Sequence, residues 1–283
     1  MRRHSETVMK YVFMAAAAVS IIAVIVICLF LFSKGFPAIK EIGLFKFLGG
    51  TVWKPLEGQF GIFPMILGSI YVTGGAIILG VPIGLLCAIF MAKFCPKGLY
   101  KILKPAVDLL AGIPSIVYGF FGLMVIVPFM RDIFGGSGKG ILTASVLLAI
   151  MILPTIISVA ETSLRAVPES YYEGSLALGV THELSVFFTI LPAAKSGIIA
   201  GIILGIGRAI GETMAVVYIA GNQAVIPESI FDGVRTMTAN IVLEMGYASD
   251  GIHRNALIAT AVVLFVFILI INISFSLLKR RND

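Results

Sequence analysis

The sequence has very little charge for its length. Among its 283 residues, Asp, Glu, Lys and Arg make up 13%, whereas hydrophobic residues make up 59% and the mean hydropathy is +1.04. Soluble domains carry about 25% charged residues, because a folded chain needs polar side chains to face water. The shortage of charge therefore excludes a soluble domain and predicts an integral membrane protein.

Residues that commonly bind metals or catalyse reactions are also scarce. The three histidines are scattered among termini and loops: His4, His182 and His253. Scattering disfavours a metal site or a catalytic triad, since both need several side chains close together. The three cysteines lie in or beside apolar runs: Cys28, Cys87 and Cys95. They have no metal or redox spacing and are predicted to be free, buried thiols. The sequence therefore predicts no active site and no bound metal.

A nucleotide-binding loop is missing as well. The segment GGSGKG at 135–140 resembles a phosphate-binding loop, but such a loop needs Ser or Thr after its lysine, where this segment has Gly140. We therefore interpret the segment as a flexible external turn. Without a nucleotide site, the chain is not expected to hydrolyse ATP itself. The net charge of +6 is not arranged as a basic stripe with aromatic residues, which disfavours nucleic-acid binding.

Long hydrophobic runs are what the sequence does contain. There are six runs of about twenty residues or more: 11–32, 65–92, 105–130, 141–160, 196–220 and 256–278. An α-helix needs about twenty residues to cross roughly 30 Å of hydrocarbon. Strands of a membrane barrel are shorter, about ten residues, and alternate in polarity. The sequence therefore predicts an all-α integral membrane protein with six transmembrane helices.

The Lys and Arg residues between these runs predict the orientation. They are more numerous in the N-terminal tail, the second and fourth loops and the C-terminal tail 279–283 than in the other loops, so both termini are predicted to be cytoplasmic. The first run is longer than a signal-peptide core and is not followed by a cleavage site, so residues 1–33 are predicted to be a tail and a retained span. Residues 34–64, which include Trp53, are then an extracytoplasmic loop along the outer membrane surface.

The fourth loop, 161–195, contains signals for two short helices. A proline at the first position and a left-handed stop at Gly179 predict a helix over 168–178. Thr181 can cap a second helix, which Pro192 would interrupt. The loop is therefore predicted to be a helical hairpin that projects into the cytoplasm.

This helical hairpin is predicted to expose apolar side chains. Tyr171, Tyr172 and Leu176 lie on its first helix, beside Glu173. Exposed apolar surface of this kind fits a groove on a soluble partner. The alternative is a loop that folds back on the membrane.

The fifth loop, 221–255, contains one further helix signal. Apolar residues recur at three- and four-residue spacing over 235–248, which predicts a short amphipathic helix. The residues leave two places open for it: flat on the outer membrane face, or lining the mouth of a pathway.

Arg208 and Glu212 are charged residues near the middle of the fifth apolar run. A central Arg costs about 2.5 to 3.5 kcal/mol on insertion scales, and Glu is also unfavourable, so neither is expected to face lipid. At about 100° per residue, they share a helix face with three glycines: Gly197, Gly201 and Gly205. Glycines at this spacing let another helix approach closely. We therefore expect the charged face to look inward, toward other helices or a hydrated path.

This charged pair has two interpretations. Residues four apart on a helix can neutralise each other, so a purely structural salt bridge is one interpretation. The other is an anion relay, in which the planar fork of Arg208 holds an oxyanion while Glu212 limits how tightly it is held.

The helical hairpin resembles the EAA motif of ATP-binding-cassette importer permeases, E-A-A-x3-G-x9-I-x-L-P. Glu173, Gly179 and the dipeptide at 191–192 fall at the spacing of the motif, whereas Gly174, Ser175 and Thr189 depart from it. In that family the hairpin is the coupling element that sits in a cleft of the ATPase subunit, and the resemblance implies the same here. The coupling residues that it implies are Tyr172, Glu173, Gly179, Leu191 and Pro192.

Four segments closely resemble the PstC-type permease subunits of high-affinity phosphate importers: GRAIGETMAV, RTMTANIVLEMGYA, GIFPMILGSIYVT and GIPSIVYGFFGL. The sister subunit, PstA, characteristically has ARAxGETAPL-like residues instead. The resemblance implies a type I ABC importer permease (MetI-like) fold, with a five-helix core at 65–278 and an additional N-terminal helix. It also implies a substrate pathway formed by Arg208, Glu212 and Thr213.

The same resemblance implies partners and a transport cycle. The partners are a PstA-like permease, two PstB-like ATPase subunits and an extracytoplasmic phosphate-binding protein (PstS-like). ATP and Mg belong to the ATPase, so this chain binds no cofactor and is not itself an enzyme. ATP closes the ATPase dimer, the helical hairpin moves with it, and the bundle alternates between inward-open and outward-open states. The residues alone leave open transport of sulfate or molybdate, an ATP-independent secondary transporter or channel, and a sensor role.

Overall fold

The computed structural model describes residues 2–280, and for residues 2–7, 275, 276 and 278–280 it describes only the helical backbone. The side chain of His4 and most of the predicted tail 279–283 lie outside the described residues. The regular elements of the described chain are helices, apart from one two-stranded β-hairpin. The prediction of an all-α fold is confirmed.

The helices are α1 (Arg2–Ile42), α2 (Leu44–Gly49), α3 (Phe63–Ile89), α4 (Lys97–Gly112), α5 (Ser115–Phe121), α6 (Val127–Phe134), α7 (Ile141–Arg165), α8 (Glu169–Ala177), α9 (His182–Ser185), α10 (Leu191–Ala193), α11 (Lys195–Gly211), α12 (Met214–Ile219), α13 (Met237–Met245) and α14 (Ile252–Arg280). Turns of π-helix continue α3, α5 and α9: Phe90–Phe94, Gly122–Ile126 and Val186–Ile190. The β-hairpin pairs β1 (Trp53–Lys54) with β2 (Gln59–Phe60), antiparallel.

Five helical segments in the described residues are long and apolar enough to cross a membrane: Val8–Ile42, Phe63–Phe94, Ser115–Phe134, Ile141–Arg165 and Ile252–Ser274. A sixth span results if the bent pair His182–Ala193 and Lys195–Gly211, with 71° between its halves, is counted as one. With that pair the number reaches the six that the sequence predicts, although several boundaries differ.

The third predicted span, 105–130, is wrong at its start. α4 ends at Gly112, and the membrane-length segment begins only at Ser115. Pro114 explains this boundary, because its ring disfavours a helical conformation of the residue before it. Ile113 is accordingly extended, with ψ 127°. α4 is therefore a separate amphipathic helix, and none of its residues is buried in the chain.

The fifth predicted span, 196–220, is broken in two. α11 ends at Gly211, Glu212 is extended with ψ 131°, and α12 begins at Met214. Gly211, the last residue of α11, has a low helix propensity. The 17 residues of α11 cover about 26 Å. Near its end, Gly205 and Arg208 contact Ile156 and Thr155 in the middle of α7, so the break lies partway along the bundle.

Two other helices are longer than predicted. α7 continues beyond residue 160 to Arg165, so Glu161, which the sequence placed in a loop, is buried in the bundle and 2% exposed. α1 continues to Ile42, so the predicted loop 34–64 begins only after this helix ends.

α7 lies between α3 and α11 at the centre of the bundle. Glycines of α3 allow its close contact with α7. A Cβ atom at Gly75 would lie 2.7 Å from the Cβ of Ser145, and one at Gly80 would lie 2.9 Å from the Cδ1 of Ile152. The core around this contact is filled by fully buried side chains of α7: Leu147, Leu148, Met151, Ile152 and Ile156.

The end of the bundle that carries α13 has its own core, which we call the α13 end. The β-hairpin, α13 and α14 meet there. Trp53 is 7% exposed, and its Nε1–H donates to Glu244 Oε2 at 2.7 Å. The indole of Trp53 therefore faces protein, where it has a buried acceptor on α13, while the position of its loop along the outer membrane surface stays a prediction.

The predicted helix over 235–248 is confirmed with narrower bounds, as α13. Five of its nine residues are buried: Met237, Thr238, Ala239, Asn240 and Glu244. These buried residues show that α13 packs into protein on this side, while its place on the outer membrane face or at the mouth of a pathway stays a prediction. α13 packs against α14, α3 and α12.

The three cysteines are free, as predicted, but they are not buried. Cys87 is exposed, whereas Cys28 and Cys95 are partly exposed. Apolar side chains on a membrane helix can face hydrocarbon at little cost, so membership of an apolar run does not predict burial in protein.

We expect Gly75→Ala to destabilise the chain and Gly74→Ala to leave it unchanged or slightly more stable. A Cβ atom at Gly75 would collide with Ser145, whereas nothing lies within 4 Å of a Cβ atom at Gly74. Overpacking costs about 1–3 kcal/mol, while Ala in place of Gly inside a helix gains up to about 1 kcal/mol. Thermal melting in detergent measures the difference. Equal melting temperatures would contradict this close packing of α3 and α7.

Candidate functional site

Arg208 lies one turn before the end of α11, on the face that packs against α7. The same face carries the three predicted glycines: Gly197, Gly201 and Gly205. A Cβ atom at Gly201 would lie 3.1 Å from Val159 Cβ, and one at Gly205 would lie 2.9 Å from Ile156 Cγ1. The glycines therefore let the two helices approach closely, as predicted, and they place Arg208 beside α7.

The guanidinium of Arg208 is held by a single neutral group. Its Nη1 donates to the Oγ1 of Thr155 on α7 at 3.3 Å, and both residues are partly exposed. This is the one side-chain hydrogen bond of Arg208 in the described part of the chain, although a guanidinium has five N–H donors. Most of its donors therefore remain available to water or to an anion.

The ion pair between Arg208 and Glu212, which is one of the two interpretations of this charged pair, does not form. Within the described residues, no nitrogen–oxygen contact of 4.0 Å or less joins the two side chains. The prediction is wrong because it assumed one continuous helix. α11 ends at Gly211, so Glu212 is not on the helix face that carries Arg208.

Glu212 instead holds the start of α12. Its Oε1 accepts from the backbone N–H of Thr213 at 3.1 Å and from that of Ala215 at 3.2 Å. The first N–H groups of a helix have no partner within the helix and carry partial positive charge, so a carboxylate stabilises them. The backbone C=O of Glu212 accepts from Thr238 Oγ1 at 3.0 Å, which ties the break to α13.

Thr213, the third predicted pathway residue, lies at the break itself. Its Oγ1 donates to the carbonyl of Gly211 at 3.1 Å, and the residue is partly exposed. The structure therefore brings Glu212 and Thr213 together at one break, while Arg208 lies on the preceding turn and faces α7.

The helical hairpin of the fourth loop contains the predicted helices with small differences in their ends, and they lie within residues 169–193. α8 ends beside Gly179, which has φ +81° and so occupies the left-handed conformation that favours glycine. Thr181 occupies the position before α9 as predicted, but its side chain makes no capping hydrogen bond. Pro192 does not interrupt the helix. It directly follows the π-helical turn Val186–Ile190, and the chain bends only after Ala193.

The two arms of this hairpin are joined by side chains. The hydroxyl of Tyr172 and Nδ1 of His182 form a hydrogen bond at 2.8 Å, and the hydroxyls of Ser175 and Ser185 are in direct contact. Tyr172 is therefore partly buried, contrary to the prediction that it is exposed. Leu191 packs against the same core, in which the hairpin meets the ends of α3 and α7.

The tip of the hairpin is exposed and contains apolar side chains. Glu173 and Gly179 are exposed, and the exposed large apolar side chains are Tyr171, Leu176, Leu178, Leu184, Phe187 and Phe188. Leu178 is 86% exposed. This surface matches the expected docking element in chemistry, while its contact with an ATPase stays a prediction.

Sequence reasoning missed a cluster of charged side chains around Glu161. The Glu161 carboxylate contacts Arg165 Nε at 2.8 Å, the Tyr100 hydroxyl at 2.6 Å and Lys104 Nζ at 3.3 Å. Arg165 Nη2 also donates to the carbonyl of Met91 at 2.7 Å. The hydrogen bond to Glu161 raises the pKa of Tyr100, which keeps its hydroxyl protonated as a donor. The spacing of Glu161 and Arg165, four residues apart, was the available signal.

A second missed cluster surrounds Glu244 at the α13 end. Besides Trp53, the Glu244 carboxylate accepts from Arg235 Nη1 at 2.7 Å and contacts His253 Nε2 at 3.0 Å. Arg235 Nε also donates to the carbonyl of Asn222 at 3.0 Å. No local pattern in the sequence points to this cluster, because its members come from the β-hairpin, the segment before α13, α13 and α14.

The remaining scattered residues form no metal site in the described chain. His182 contacts Tyr172, and His253 contacts Glu244, as described above. In the GGSGKG segment, Ser137 Oγ accepts from the backbone N–H of Lys139 at 3.2 Å, so these residues form a local turn. The interpretation of this segment as a turn is confirmed.

Comparison with known proteins places the chain among transport permeases. The family described as binding-protein-dependent transport system inner membrane component matches residues 80–283. A probable ABC transporter permease protein, YqgH of Bacillus subtilis, is 37% identical over 95% of this chain and 91% of its own length. The phosphate transport system permease protein PstC of Mesorhizobium japonicum is 34% identical over 91% of this chain and 84% of its own.

Solved structures show a similar fold. A chain of the inward-facing MetNI methionine ABC transporter has a TM-score of 0.63 with 19% identity, and the match covers 82% of this chain and 100% of that chain. A chain of a bacterial ABC transporter involved in the import of alginate has a TM-score of 0.64 with 13% identity, covering 94% and 95%. At these identities the likeness shows the fold alone.

We expect Glu212→Ala to loosen the start of α12 and Glu212→Gln to preserve most of it. Ala leaves the amides of Thr213 and Ala215 without their acceptor, which at a helix N-terminus costs about 1 kcal/mol. Gln keeps a neutral acceptor in the same place. Amide hydrogen exchange over 213–217 measures this, and the expected result is roughly fivefold faster exchange in the Ala variant. Unchanged exchange would show that the carboxylate does not hold this turn.

Proposed function

Because the chain belongs to the family of binding-protein-dependent transport system inner membrane components, we propose that it is the transmembrane permease subunit of an ATP-driven importer of inorganic phosphate. The chain has the type I ABC importer permease (MetI-like) fold and is a multi-pass inner membrane protein. The similarity to several phosphate transport permeases over most of the chain supports phosphate as the substrate.

The observation that supports the proposal most is that Arg208 has a single hydroxyl as its side-chain partner in the described chain. A permanently charged guanidinium midway along a membrane bundle needs a counterpart, and here its protein partner is one hydroxyl. Arginine presents its donors in a planar fork that matches the oxygens of phosphate. Arg208 is therefore the residue that binds the anion in transit, and its partial exposure gives the anion access.

Glu212 and Thr213 contribute through the break that they form. The Glu212 carboxylate does not neutralise Arg208, so the full positive charge of the guanidinium acts on the anion. The break gives the chain a point at which α12 can move relative to α11. Thr238 connects this point to α13, so α13 follows the movement.

Family membership implies an ATPase and a substrate-binding protein as partners. In finer detail, the proposed partners are a PstA-like permease, two PstB-like ATPase subunits and an extracytoplasmic PstS-like phosphate-binding protein. ATP and Mg are bound by the ATPase, and this chain neither binds them nor hydrolyses ATP. Both termini are cytoplasmic in this arrangement.

The helical hairpin is the proposed coupling element. Glu173, Gly179 and the exposed apolar side chains of its tip enter a cleft of the ATPase, whereas Tyr172, Leu191 and Pro192 hold the hairpin in shape. The hairpin core is continuous with the ends of α3 and α7, and after Ala193 the chain turns directly into α11. A movement of the hairpin is thus transmitted to the helix that carries Arg208, which supports alternating access.

We expect Arg208→Gln to reduce ATP-dependent phosphate uptake about 10- to 100-fold. A hydrogen bond to a charged group contributes about 1.5–3 kcal/mol, and each 1.4 kcal/mol is a factor of ten. The measurement is uptake by the four-component system in liposomes, with Gly207→Ala as a neighbouring control because nothing lies within 4 Å of its Cβ atom. ATPase association should persist in both variants.

Two results of that assay would overturn the assignment. Normal phosphate uptake by Arg208→Gln would remove this residue from the pathway. Uptake of sulfate or molybdate in place of phosphate by the unmodified protein would keep the class of transporter and change the substrate, and phosphate flux without any ATPase would indicate a secondary transporter.

We expect Glu173→Gln to weaken ATPase binding about 10- to 100-fold, whereas Glu169→Gln on the same helix has little effect. Both carboxylates are exposed on α8, so neither change should unfold the chain, but only Glu173 holds the motif position that docks. A carboxylate desolvated in a cleft contributes about 1.5–3 kcal/mol through its hydrogen bonds. Binding of the purified ATPase to the permease in nanodiscs measures this, and equal affinities would refute the docking role of Glu173.

A further inference from the structure

Two cations contact adjacent hydroxyls on one face of α7. Arg208, from α11, donates to Thr155 Oγ1 at 3.3 Å, and Lys104, from α4, donates to Ser158 Oγ at 3.4 Å. Thr155 and Ser158 are three residues apart on a helix, so their Cβ atoms lie about 5–6 Å apart on the same side. The two positive groups therefore bond to neighbouring positions along one turn of α7, although they come from two different helices.

The positive charges in this region outnumber the negative ones. Lys104 forms ion pairs with Asp108 at 3.3 Å and with Glu161 at 3.3 Å, and Glu161 is shared with Arg165. Arg208 has no carboxylate within 4.0 Å in the described chain. Three cations thus face two carboxylates, and the excess positive charge lies at the end of the cluster that contains Arg208.

Lys104 stays charged in this setting. Burial disfavours its charged form, but hydrogen bonds and attraction from Glu161 and Asp108 outweigh burial and raise the pKa of Lys104 above its ordinary value. Two permanent cations close together in a medium of low polarity repel each other. An anion that lies between them removes this repulsion and gains attraction from both.

The four groups also supply hydrogen bonds suited to an oxyanion. The guanidinium has unused donors, and each hydroxyl can donate as well as accept. The three N–H groups of the ammonium face Ser158, Asp108 and Glu161, so Lys104 exchanges one of these contacts for the anion. Arg208, Thr155 and Ser158 are all partly exposed, and 27% of the Lys104 side chain is exposed. The arrangement is therefore open to a ligand from the space beside α7.

We propose that Arg208, Thr155, Ser158 and Lys104 form a two-cation subsite that binds the oxyanion after it enters the pathway. We call these four residues the two-cation subsite. Lys104 is its second charged ligand, on the side toward Glu161 and the end of α7. The anion leaves Arg208 by transfer to Lys104, and the neighbouring carboxylates keep Lys104 from holding it too firmly. The identity of the anion as phosphate rests on the proposed function, whereas the subsite itself does not.

The test uses a cysteine at the centre of the subsite. Ser158→Cys is made in the full chain with Cys28, Cys87 and Cys95 changed to Ser, and the protein is assembled with its partners in lipid nanodiscs. The rates of modification by an anionic methanethiosulfonate (the ethylsulfonate) and a cationic one (the trimethylammonium) are compared. The same measurement is repeated with Lys104→Gln and with Lys104→Arg.

The expected result is a preference for the anionic reagent of about tenfold or more, since clefts lined by one sign of charge raise encounter rates by at least that factor. Lys104→Gln should abolish most of this preference and Lys104→Arg should retain it. Inorganic phosphate at millimolar concentration should lower the rate at which the anionic reagent modifies the cysteine when Lys104 is present. In the Lys104→Gln variant, phosphate should have little effect on this rate.

Several outcomes would overturn the subsite. Equal rates for the two reagents would show that no excess positive charge acts at Ser158, and absence of reaction with either would show that the place is closed to ligands. Protection by sulfate or molybdate but not by phosphate would leave the subsite standing and refute phosphate as the substrate.

An uptake assay distinguishes a Lys104 that binds the anion from one that only forms a structural ion pair. Lys104→Gln should lower ATP-dependent uptake at least tenfold, with Lys104→Arg restoring it. Arg165→Gln breaks the same Glu161 cluster from its other side and leaves the charge of Lys104 in place, so it should alter thermal stability more than uptake. If Arg165→Gln and Lys104→Gln reduce uptake equally and in proportion to their loss of stability, Lys104 is only a structural partner of Glu161.

Discussion

The structure depends on one constraint, which is that a permanently charged guanidinium midway along the bundle cannot face hydrocarbon. Three glycines of α11 bring that helix against α7 and turn Arg208 toward the interior. α7 offers it a single hydroxyl, from Thr155, in place of a carboxylate. Arg208 is thus accommodated beside a polar, partly exposed surface, and its charge is not compensated by a carboxylate of the described chain.

Because α11 ends at Gly211, the charge of Arg208 is not paired with Glu212. In one continuous helix, Glu212 would lie beside Arg208 and neutralise it. The break turns the carboxylate toward the first amides of α12 instead. One backbone change therefore separates the two charges and places a break in the helix beside Arg208, the proposed anion-binding residue. The same break is bonded to α13 through Thr238.

One buried glutamate stabilises each end of the bundle. Glu161 joins α4 and α7 near the helical hairpin, while Glu244 joins the β-hairpin, α13 and the start of α14 at the other end. Each carboxylate has several charged or polar partners, which is the condition under which a buried charge is tolerated. Between these ends the middle of the bundle is held mainly by close apolar packing, and Arg208 lies in this part.

The sequence by itself determined the membrane class, the approximate spans, the helical hairpin and the inward face of Arg208. These follow from local rules: the length of apolar runs, the turn signals at Gly179 and Thr181, and the cost of a charge in hydrocarbon. It did not reveal the boundary at Pro114, because an apolar run continues on both sides and hydropathy hides the break. Only the tertiary structure decided which groups meet across the chain. Glu161 with Lys104, Trp53 with Glu244, and Glu212 with the amides of α12 are pairings set by packing of distant helices or by a single backbone turn, and no periodicity along the chain encodes them.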